Sequence, residues 1–402
     1  MKKKSILRYA IVGAFAFAMI SCQTDSTDDV QAEVEKVTFN ESEPISGSYI
    51  IVYNNVAGKM PALTKTTSEA AYRSQMSNLK ASFVSEFKSI DLKAEDIKAT
   101  YGHALKGFTA NLSDDQVAAL KKDPRVQSIE QDLTISISPF KGKPGGGGGT
   151  PDPQSIPYGT TRVGGGLATS SNTAWIIDSG IDLDHPDLNV DVSRSASFVR
   201  GDADDQNGHG THVAGTVGAI NNDIGSVGVS PGNLVVAVRV LDRRGSGSIS
   251  GVVAGVDYVA ANASNGDVAN MSLGGGASTT LDNAVIAAAQ SGVVFALAAG
   301  NSGADANNSS PARANHANIY TISAMDVNDN WASFSNWGNP PIENCAPGVA
   351  VFSTWKDGGY NTISGTSMAS PHAAGVLLFG NPSSDGTVNG DPDGNPDPII
   401  HN

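Results

Sequence analysis

Asn361-Thr-Ile-Ser-Gly-Thr-Ser-Met-Ala-Ser-Pro-His372 places Ser367 after Gly-Thr and just inside an apolar helical run of Met368, Ala369, Ala373, Ala374, Val376 and Leu377. A serine hydroxyl is a weak nucleophile on its own. It becomes reactive when an imidazole takes its proton and nearby donors hold the oxyanion that forms. Candidates for both lie upstream. Asn207-Gly-His-Gly-Thr-His-Val-Ala-Gly-Thr216 puts His209 at the mouth of a helix. Trp175-Ile-Ile-Asp-Ser-Gly-Ile-Asp182 begins as an apolar strand that ends at Asp178. Phe295-Ala-Leu-Ala-Ala-Gly-Asn301 offers a side-chain amide, Asn301, after a buried strand and a glycine.

Asp178, His209 and Ser367, in that chain order, resemble the subtilisin family of serine peptidases, nearer its proteinase K-like branch. The same three side chains serve other folds in other orders, so the order discriminates. The resemblance runs from Gln154 to about Leu378. It implies a subtilisin-like α/β fold and hydrolysis of peptide bonds through an acyl-enzyme. His209 would take the Ser367 proton, Asp178 would hold the other imidazole nitrogen, and Asn301 matches the family's oxyanion asparagine. Taken singly, the motifs have plainer readings: a satisfied helix-start histidine, a cap serine, a strand-end acid. Their joint occurrence in order sets those aside. His212 and His372 read as structural. A metal site on Asp178, His209 and His212 is a rival reading. It lacks the glutamate of a His-Glu-x-x-His helix and gives Ser367 and Asn301 no role. The remaining alternative is a catalytically silent binding protein of the cell envelope on the same fold, and the complete triad argues against it.

The 402 residues suffice for a large core plus a smaller domain. The net charge of −14 is unevenly placed: from Thr150 onward 8 Lys and Arg face 23 Asp and Glu, while the upstream part is close to neutral. An acidic surface argues against nucleic-acid binding. It suits a well-solvated protein, or one that holds calcium. The two cysteines, Cys22 and Cys345, give no disulfide framework. Cys345 is expected to pack as a small apolar residue.

Met1-Lys-Lys-Lys precedes a short apolar core, Ala10 to Ile20, too short to cross a bilayer comfortably. Residues 1–21 therefore read as a signal peptide. Met19-Ile-Ser-Cys22 resembles a bacterial lipobox, which implies cleavage before Cys22, a lipid on Cys22, and a precursor held at the cell envelope. Residues 22–45 read as a flexible acidic tether. Residues 46–138 show the order β-α-β-β-α-β, a small α+β, ferredoxin-like domain. Its elements are a strand at Tyr49–Tyr53, a helix over Ser68–Ser89, extended segments within Ala99–Asn111, a short helix opened by Ser113, and a strand at Val126–Asp132. This domain resembles the inhibitor-type propeptide of subtilisins, which implies an intramolecular inhibitor and folding aid. Residues 139–153, with five glycines from Gly145 to Gly149, form a linker. Self-cleavage is expected between about Ile137 and Gly149, with Phe140 suited to the position before the cut. Because Cys22 belongs to the propeptide, processing is expected to free residues 154–402 as a secreted catalytic domain.

In that domain strands and helices alternate, which implies a parallel sheet with helices on both faces. The strands are expected at Ala174–Ile177, Leu234–Leu241, Val268–Ser272, Val293–Ala298, Ile319–Ala324 and Val349–Thr354, and the helices at Gly210–Ile220, Ile249–Ala263, Thr280–Gln290 and Thr366–Leu378. An endopeptidase must hold its polypeptide substrate extended, most simply by β-addition. Gly245-Ser246-Gly247 and Ser272-Leu273-Gly274 resemble the family segments that flank substrate. The wall Ala296–Gly300 carries no acid, so an apolar or aromatic residue is expected before the scissile bond. Asn221-Asn-Asp-Ile-Gly-Ser226 resembles the family's calcium loop. The resemblance implies a structural Ca²⁺ held by Gln154, Asp187, Ile220, Asn222, Ile224 and Ser226, oxygen ligands of the kind that ion favours. The tail Asp391-Pro-Asp-Gly-Asn-Pro-Asp397 reads as disordered by composition.

Overall fold

Tyr49-Ile-Ile-Val-Tyr53 is β-branched and aromatic throughout, a composition that suits a central strand. The computed structural model, which describes residues 42–54, 60–137, 153–380 and 382–402, places it there. Strand Pro44–Tyr53 pairs antiparallel with Gly107–Asn111 on one side and Val126–Ser136 on the other, and Ile97–Tyr101 lies outside Gly107–Asn111. Helix Glu69–Glu86 is capped by Ser68, whose side chain accepts from the Ala71 amide. It buries Tyr72, Met76, Leu79 and Phe83 on the sheet, with Phe83 edge-on to Tyr53. Ser113 and Gln116 close a reciprocal cap on helix Asp114–Leu120. The expected order of elements is present. The last strand runs four residues beyond Asp132, and the polar tether ends earlier than expected: Pro44 already belongs to the sheet, and the Glu43 carbonyl accepts from the Thr134 amide. The signal segment, Cys22, most of the tether, residues 138–152 and the Phe140 cut site lie outside the described residues.

The second sheet grows from buried apolar runs. Ala174–Asp178, Leu234–Arg239, Val268–Met271, Val294–Ala298, Ile319–Met325 and Ile342–Pro347 are parallel. Across the sheet they stand in the order Ile342, Ile319, Val294, Val268, Ala174, Leu234, each named by its first residue. Helix Ile249–Asn262 packs with Thr279–Gln290, and helix His209–Gly218 with Thr366–Leu377. Both members of the second pair carry a residue of the expected triad. Asp178 ends the strand Ala174–Asp178, against which the His209 helix packs, so these residues stand at the carboxyl ends of the strands.

Two expectations fail. The strand that follows Ile319–Met325 in the sheet is Ile342–Pro347, not Val349–Thr354. Val351–Trp355 instead forms a separate antiparallel hairpin with Gly359–Ile363. Glu343, Asn344 and Pro347 break the apolar pattern of the true strand, and Glu343 turns its carboxylate to the Thr321 amide at 2.6 Å. The acidic tail is also ordered. Pro398–His401 adds to the sheet beside Cys345, and Ser383–Thr387 adds beside it. Asp397 is buried, accepting from Ser323 Oγ and Asn339 Nδ2. Cys345 is buried among Met325, Val388 and Ile399. Composition suggested disorder because Gly, Pro and Asp dominate, but here they serve as turn residues between two short strands.

The small domain grips the larger one by charge placed at helix ends. Asp132 accepts from the amide and hydroxyl of Ser250, and Glu130 from the amide and hydroxyl of Thr280. Both carboxylates thus sit at the N-termini of helices Ile249–Asn262 and Thr279–Gln290, where negative charge is favoured. Lys65 Nζ donates to the Ala260 and Ala263 carbonyls at the opposite end of the first helix. In its middle, Asp257 accepts from the Gly102, His103 and Ala104 amides and the Tyr72 hydroxyl.

Two groups in this contact titrate with opposite sign. Burial pushes the Asp257 carboxyl up to about 6, against the pull of its backbone donors. Burial, and secondarily Lys65, hold the His103 imidazole down to about 4. The raised acid contributes stability that is present below its ordinary range and lost as pH rises through about 6. The lowered imidazole contributes stability that is present above its ordinary range and lost as pH falls toward about 4. The two offset each other between these values. In the full chain carrying Ser367→Ala, His103→Asn should therefore lose thermal stability relative to the parent as pH rises from about 4 to 6, and Asp257→Asn should gain it. Melting curves across that range check this, and parallel shifts for both variants would refute it.

Candidate active site

Asp178, the last residue of its strand, is fully buried. Its Oδ1 accepts from the Ser179 amide at 2.7 Å and from His209 Nδ1 at 2.8 Å. That bond sets the tautomer, with the proton on Nδ1 and the lone pair on Nε2. His209 is the first residue of its helix and is also fully buried. The helix begins on Gly208 at φ 113°, where a Cβ would fall 2.3 Å from the Trp355 ring. His212, one turn on, has a different task. Its Nε2 donates to the Val351 carbonyl at 3.0 Å, and burial, then neighbouring His209, hold its pKa down to about 3. It is a neutral clamp on the Val351–Trp355 hairpin. His372 Nδ1 likewise donates to the Met368 carbonyl within its own helix. Both histidines are structural. His212 turns to a backbone carbonyl and not to Asp178, which gives the metal reading no support.

Ser367 is the second residue of helix Thr366–Leu377. Its Oγ donates to the Ser272 carbonyl at 3.0 Å, and Ser272 Oγ returns a bond to the Ser367 carbonyl at 2.8 Å. Asn270 Nδ2 donates to Ser272 Oγ, while Asn270 Oδ1 accepts from Ser370 Oγ. The start of the serine helix is thereby riveted to the end of strand Val268–Met271.

Asn301 follows strand Val294–Ala298 and is 4% exposed. Its Oδ1 accepts from both the amide and the hydroxyl of Thr366, each at 2.8 Å. The side chain cannot flip without losing both bonds. Its Nδ2 is buried with no acceptor among the described residues. An unmet buried donor costs about 1–3 kcal/mol. The site keeps one, oriented, one residue away from Ser367.

Of the two segments expected to hold substrate, the first is in contact with the small domain already, and the residue after the second lies close to it. Ser246–Ser248 pairs antiparallel with the end of the small domain's last strand: Thr134 faces Ser248, Ile135 faces Gly247, and Ser136 faces Ser246. Ile137 N–H continues the ladder to the Gly245 carbonyl at 2.9 Å. Ile135 and Ile137, two residues apart and on one face, are both buried. Gly275, just after Ser272-Leu273-Gly274, lies so close to Ile135 that a Cβ there would be 3.4 Å from its Cγ1. Leu273 is itself fully buried.

All six residues of the expected calcium loop meet. The Ile220 carbonyl, the Asn222 Oδ1 and the Ile224 carbonyl converge on Gln154 Nε2 at 3.0, 3.2 and 3.4 Å. Asp187 accepts from Asn222 Nδ2, the Ser226 amide and the Tyr360 hydroxyl. Three acceptors crowd one nitrogen that has two hydrogens to give. Asp187 has no cationic partner among the described residues, and burial pushes its carboxyl up to about 6. Convergent oxygens beside a buried carboxylate fit a hard divalent cation, with the Gln154 side chain turned to offer its oxygen.

Several contributors had no signal in the sequence. Asp205, Ser179, Asn270 and Trp355 act through partners distant along the chain. Thr366 could have been found as the residue beside the nucleophile that orients the amide.

The subtilase family matches residues 175–379, and the peptidase inhibitor I9 family matches residues 37–138. Alkaline serine exoprotease A of Vibrio alginolyticus is 45% identical over 296 residues, 70% of this chain and 53% of that protein. This chain thus spans about half the length of that relative. The thermostable alkaline protease of Halalkalibacterium halodurans is 40% identical over 67% of this chain and 71% of its own. The extracellular serine proteinase of a Thermus species is 36% identical over 89% and 86%. The crystal structure of a cold adapted subtilisin-like serine proteinase superposes with a TM-score of 0.54 at 41% identity, covering 61% of this chain and 97% of the other.

Asn301→Asp keeps the acceptor for Thr366 and replaces the free donor with an oxygen. It should lower kcat for peptide hydrolysis about 10²–10³-fold, the scale for loss of one oxyanion donor, with KM within about twofold. Steady-state kinetics on a short peptide substrate, per titrated site, decide it; an unchanged kcat removes Asn301 from the chemistry.

Proposed function

The chain belongs to the subtilase family, and we propose that it is a serine endopeptidase made as a precursor that cuts and restrains itself. The observation that carries this reading is the buried, acceptor-less Nδ2 of Asn301, pinned by Thr366 beside Ser367. An enzyme gains from a donor that is met only when charge develops in the transition state.

The steps follow from the residues. Ser367 Oγ turns from Ser272 toward His209 Nε2 and attacks the peptide carbonyl as its proton moves to the imidazole. Asp178, bonded to Nδ1, stabilises the imidazolium and keeps its own charge. The oxyanion is received by Asn301 Nδ2 and by the positive end of helix Thr366–Leu377. His209 then gives the proton to the departing amine, leaving an acyl group on Ser367. Water, activated by the same imidazole, releases it. Substrate lies extended along Gly245-Ser246-Gly247 and Ser272-Leu273-Gly274. The strand Thr134–Ile137 occupies the first of these edges in the precursor, which supports inhibition by occupation. The buried isoleucines 135 and 137, and the acid-free wall Ala296–Gly300, favour apolar residues in the substrate.

Cys22 as a lipid site places the anchor on the inhibitory part. The cut between Ile137 and Gly149 would then release residues 154–402 and leave the inhibitor tethered. A Ser367→Ala chain should remain uncut and fractionate with membranes, with proteolysis reduced about 10⁶-fold, the loss recorded when a subtilisin triad is broken. The unmodified chain should yield a soluble fragment that cuts casein mainly after apolar residues, as mapped by mass spectrometry. A processed fragment that stays with the membrane refutes release, and cuts confined to Arg refute the specificity.

Gln154, Asp187, Ile220, Asn222, Ile224 and Ser226 would hold Ca²⁺, which supplies stability and takes no part in the reaction. A ligand at 100 times its Kd stabilises the folded state by about 2.7 kcal/mol. EDTA should therefore lower the melting temperature of the Ser367→Ala chain, and added Ca²⁺ should restore it. A melting temperature indifferent to EDTA sinks the assignment.

A further inference from the structure

We propose that Asp205 is a positioning residue that sets the distance between Asp178 and His209; the proposal rests on reading those two as the acid and base of the peptidase. The His209 helix starts on Gly208, which has no side chain to cap it. None fits, because the Trp355 ring fills the space. The four N–H groups that open a helix still need acceptors. Each finds one outside the helix. The Gly208 amide donates to Asp205 Oδ1 at 2.9 Å, His209 to Asn207 Oδ1 at 3.2 Å, Gly210 to Ser179 Oγ at 3.0 Å, and Thr211 to Asp205 Oδ2 at 3.0 Å.

Asp205 also accepts from the Asn207 amide, the Thr211 hydroxyl and the Ser179 hydroxyl. It thus has five donors in all. Four come from the turn and helix that carry His209. The fifth comes from Ser179, which follows Asp178 and whose amide bonds to the Asp178 carboxylate. One carboxylate therefore ties the backbone at His209 to the backbone at Asp178. It is almost fully buried and faces only donors. An amide in its place would turn an NH₂ group toward at least two of them.

A displacement near 1 Å at a catalytic group can cost about 10²-fold in rate. Asp205→Asn should lower kcat about tenfold or more per titrated active site, with KM within about twofold. Ser179→Ala, which deletes the link and the acceptor of the Gly210 amide but leaves the Gly208 and Thr211 amides on Asp205, should lower it about threefold. A residue needed only for folding would lower the melting temperature and the number of titratable sites, but not kcat per site measured well below that temperature. A second readout needs no activity. In the full Ser367→Ala chain, the proton on His209 Nδ1 should give a low-field NMR signal that His209→Ala abolishes. Asp205→Asn should broaden or shift it by faster exchange. An unchanged signal together with unchanged kcat per site overturns the role of Asp205. The signal present in the Ser367→Ala chain, together with an unmodified chain that hydrolyses no peptide, overturns the peptidase reading instead.

Discussion

Both helices that carry the side chains proposed to react begin on a glycine, Gly208 for His209 and Gly365 for Ser367, and neither has a side-chain cap of its own. The helices at Ser68, Ser113, Ser248 and Ser278 each begin with a serine that accepts from a backbone amide three residues on. The contrast has a physical basis. A capping side chain would occupy the space at the helix mouth where the imidazole and the hydroxyl must work. Caps are therefore brought from elsewhere, and what brings them becomes part of the site. Asp205 and Ser179 serve the first helix. For the second, Asn301 takes the amide and hydroxyl of Thr366 on its oxygen, which leaves its nitrogen facing the place where charge appears.

The family and the proposed site were legible in the chain because peptide hydrolysis by serine demands particular residue types. Asp178, His209, Ser367 and Asn301 stand at the ends of strands or the starts of helices, and each carries local punctuation such as Gly208 or Gly365. The central strands were legible because parallel strands covered on both faces read as unbroken apolar runs, as in Trp175-Ile-Ile and Leu234-Val-Val-Ala-Val. The strand Ile342–Pro347 lies nearer the edge of the sheet, beside the short tail strands, and tolerates Glu343 and Asn344. Its pattern was obscured for that reason. Asp205 was not legible because a cap supplied from outside its helix has no fixed spacing to any partner. Asp397 was hidden likewise: its partners Ser323 and Asn339 lie far back in the chain.

Geometry also orders the events of maturation. The last strand of the small domain has its first half in one sheet and its last residues against Ser246–Ser248 of the other domain. One continuous strand thus joins the inhibitor's core to the cleft. Ile135 and Ile137 enter the cleft as a substrate would, while Glu130 and Asp132, a few residues earlier, anchor the helices beside it. Anchor and occupant are a single extended segment, so their spacing is fixed by the backbone alone.

Asp132 and Glu130 have a consequence beyond restraint. Helices Ile249–Asn262 and Thr279–Gln290 are assembled with borrowed negative charge at their mouths, and under the proposed self-cleavage the lender would depart. Ser250 and Thr280 would then lose the carboxylates they bond, Ser250 keeping its bond to Ser248 Oγ. A processed enzyme would lack groups that were present when it took shape, so its route back from an unfolded chain would be steeper than its first passage. Its working life would be governed by the height of the barrier to coming apart, a matter of rate and not of equilibrium.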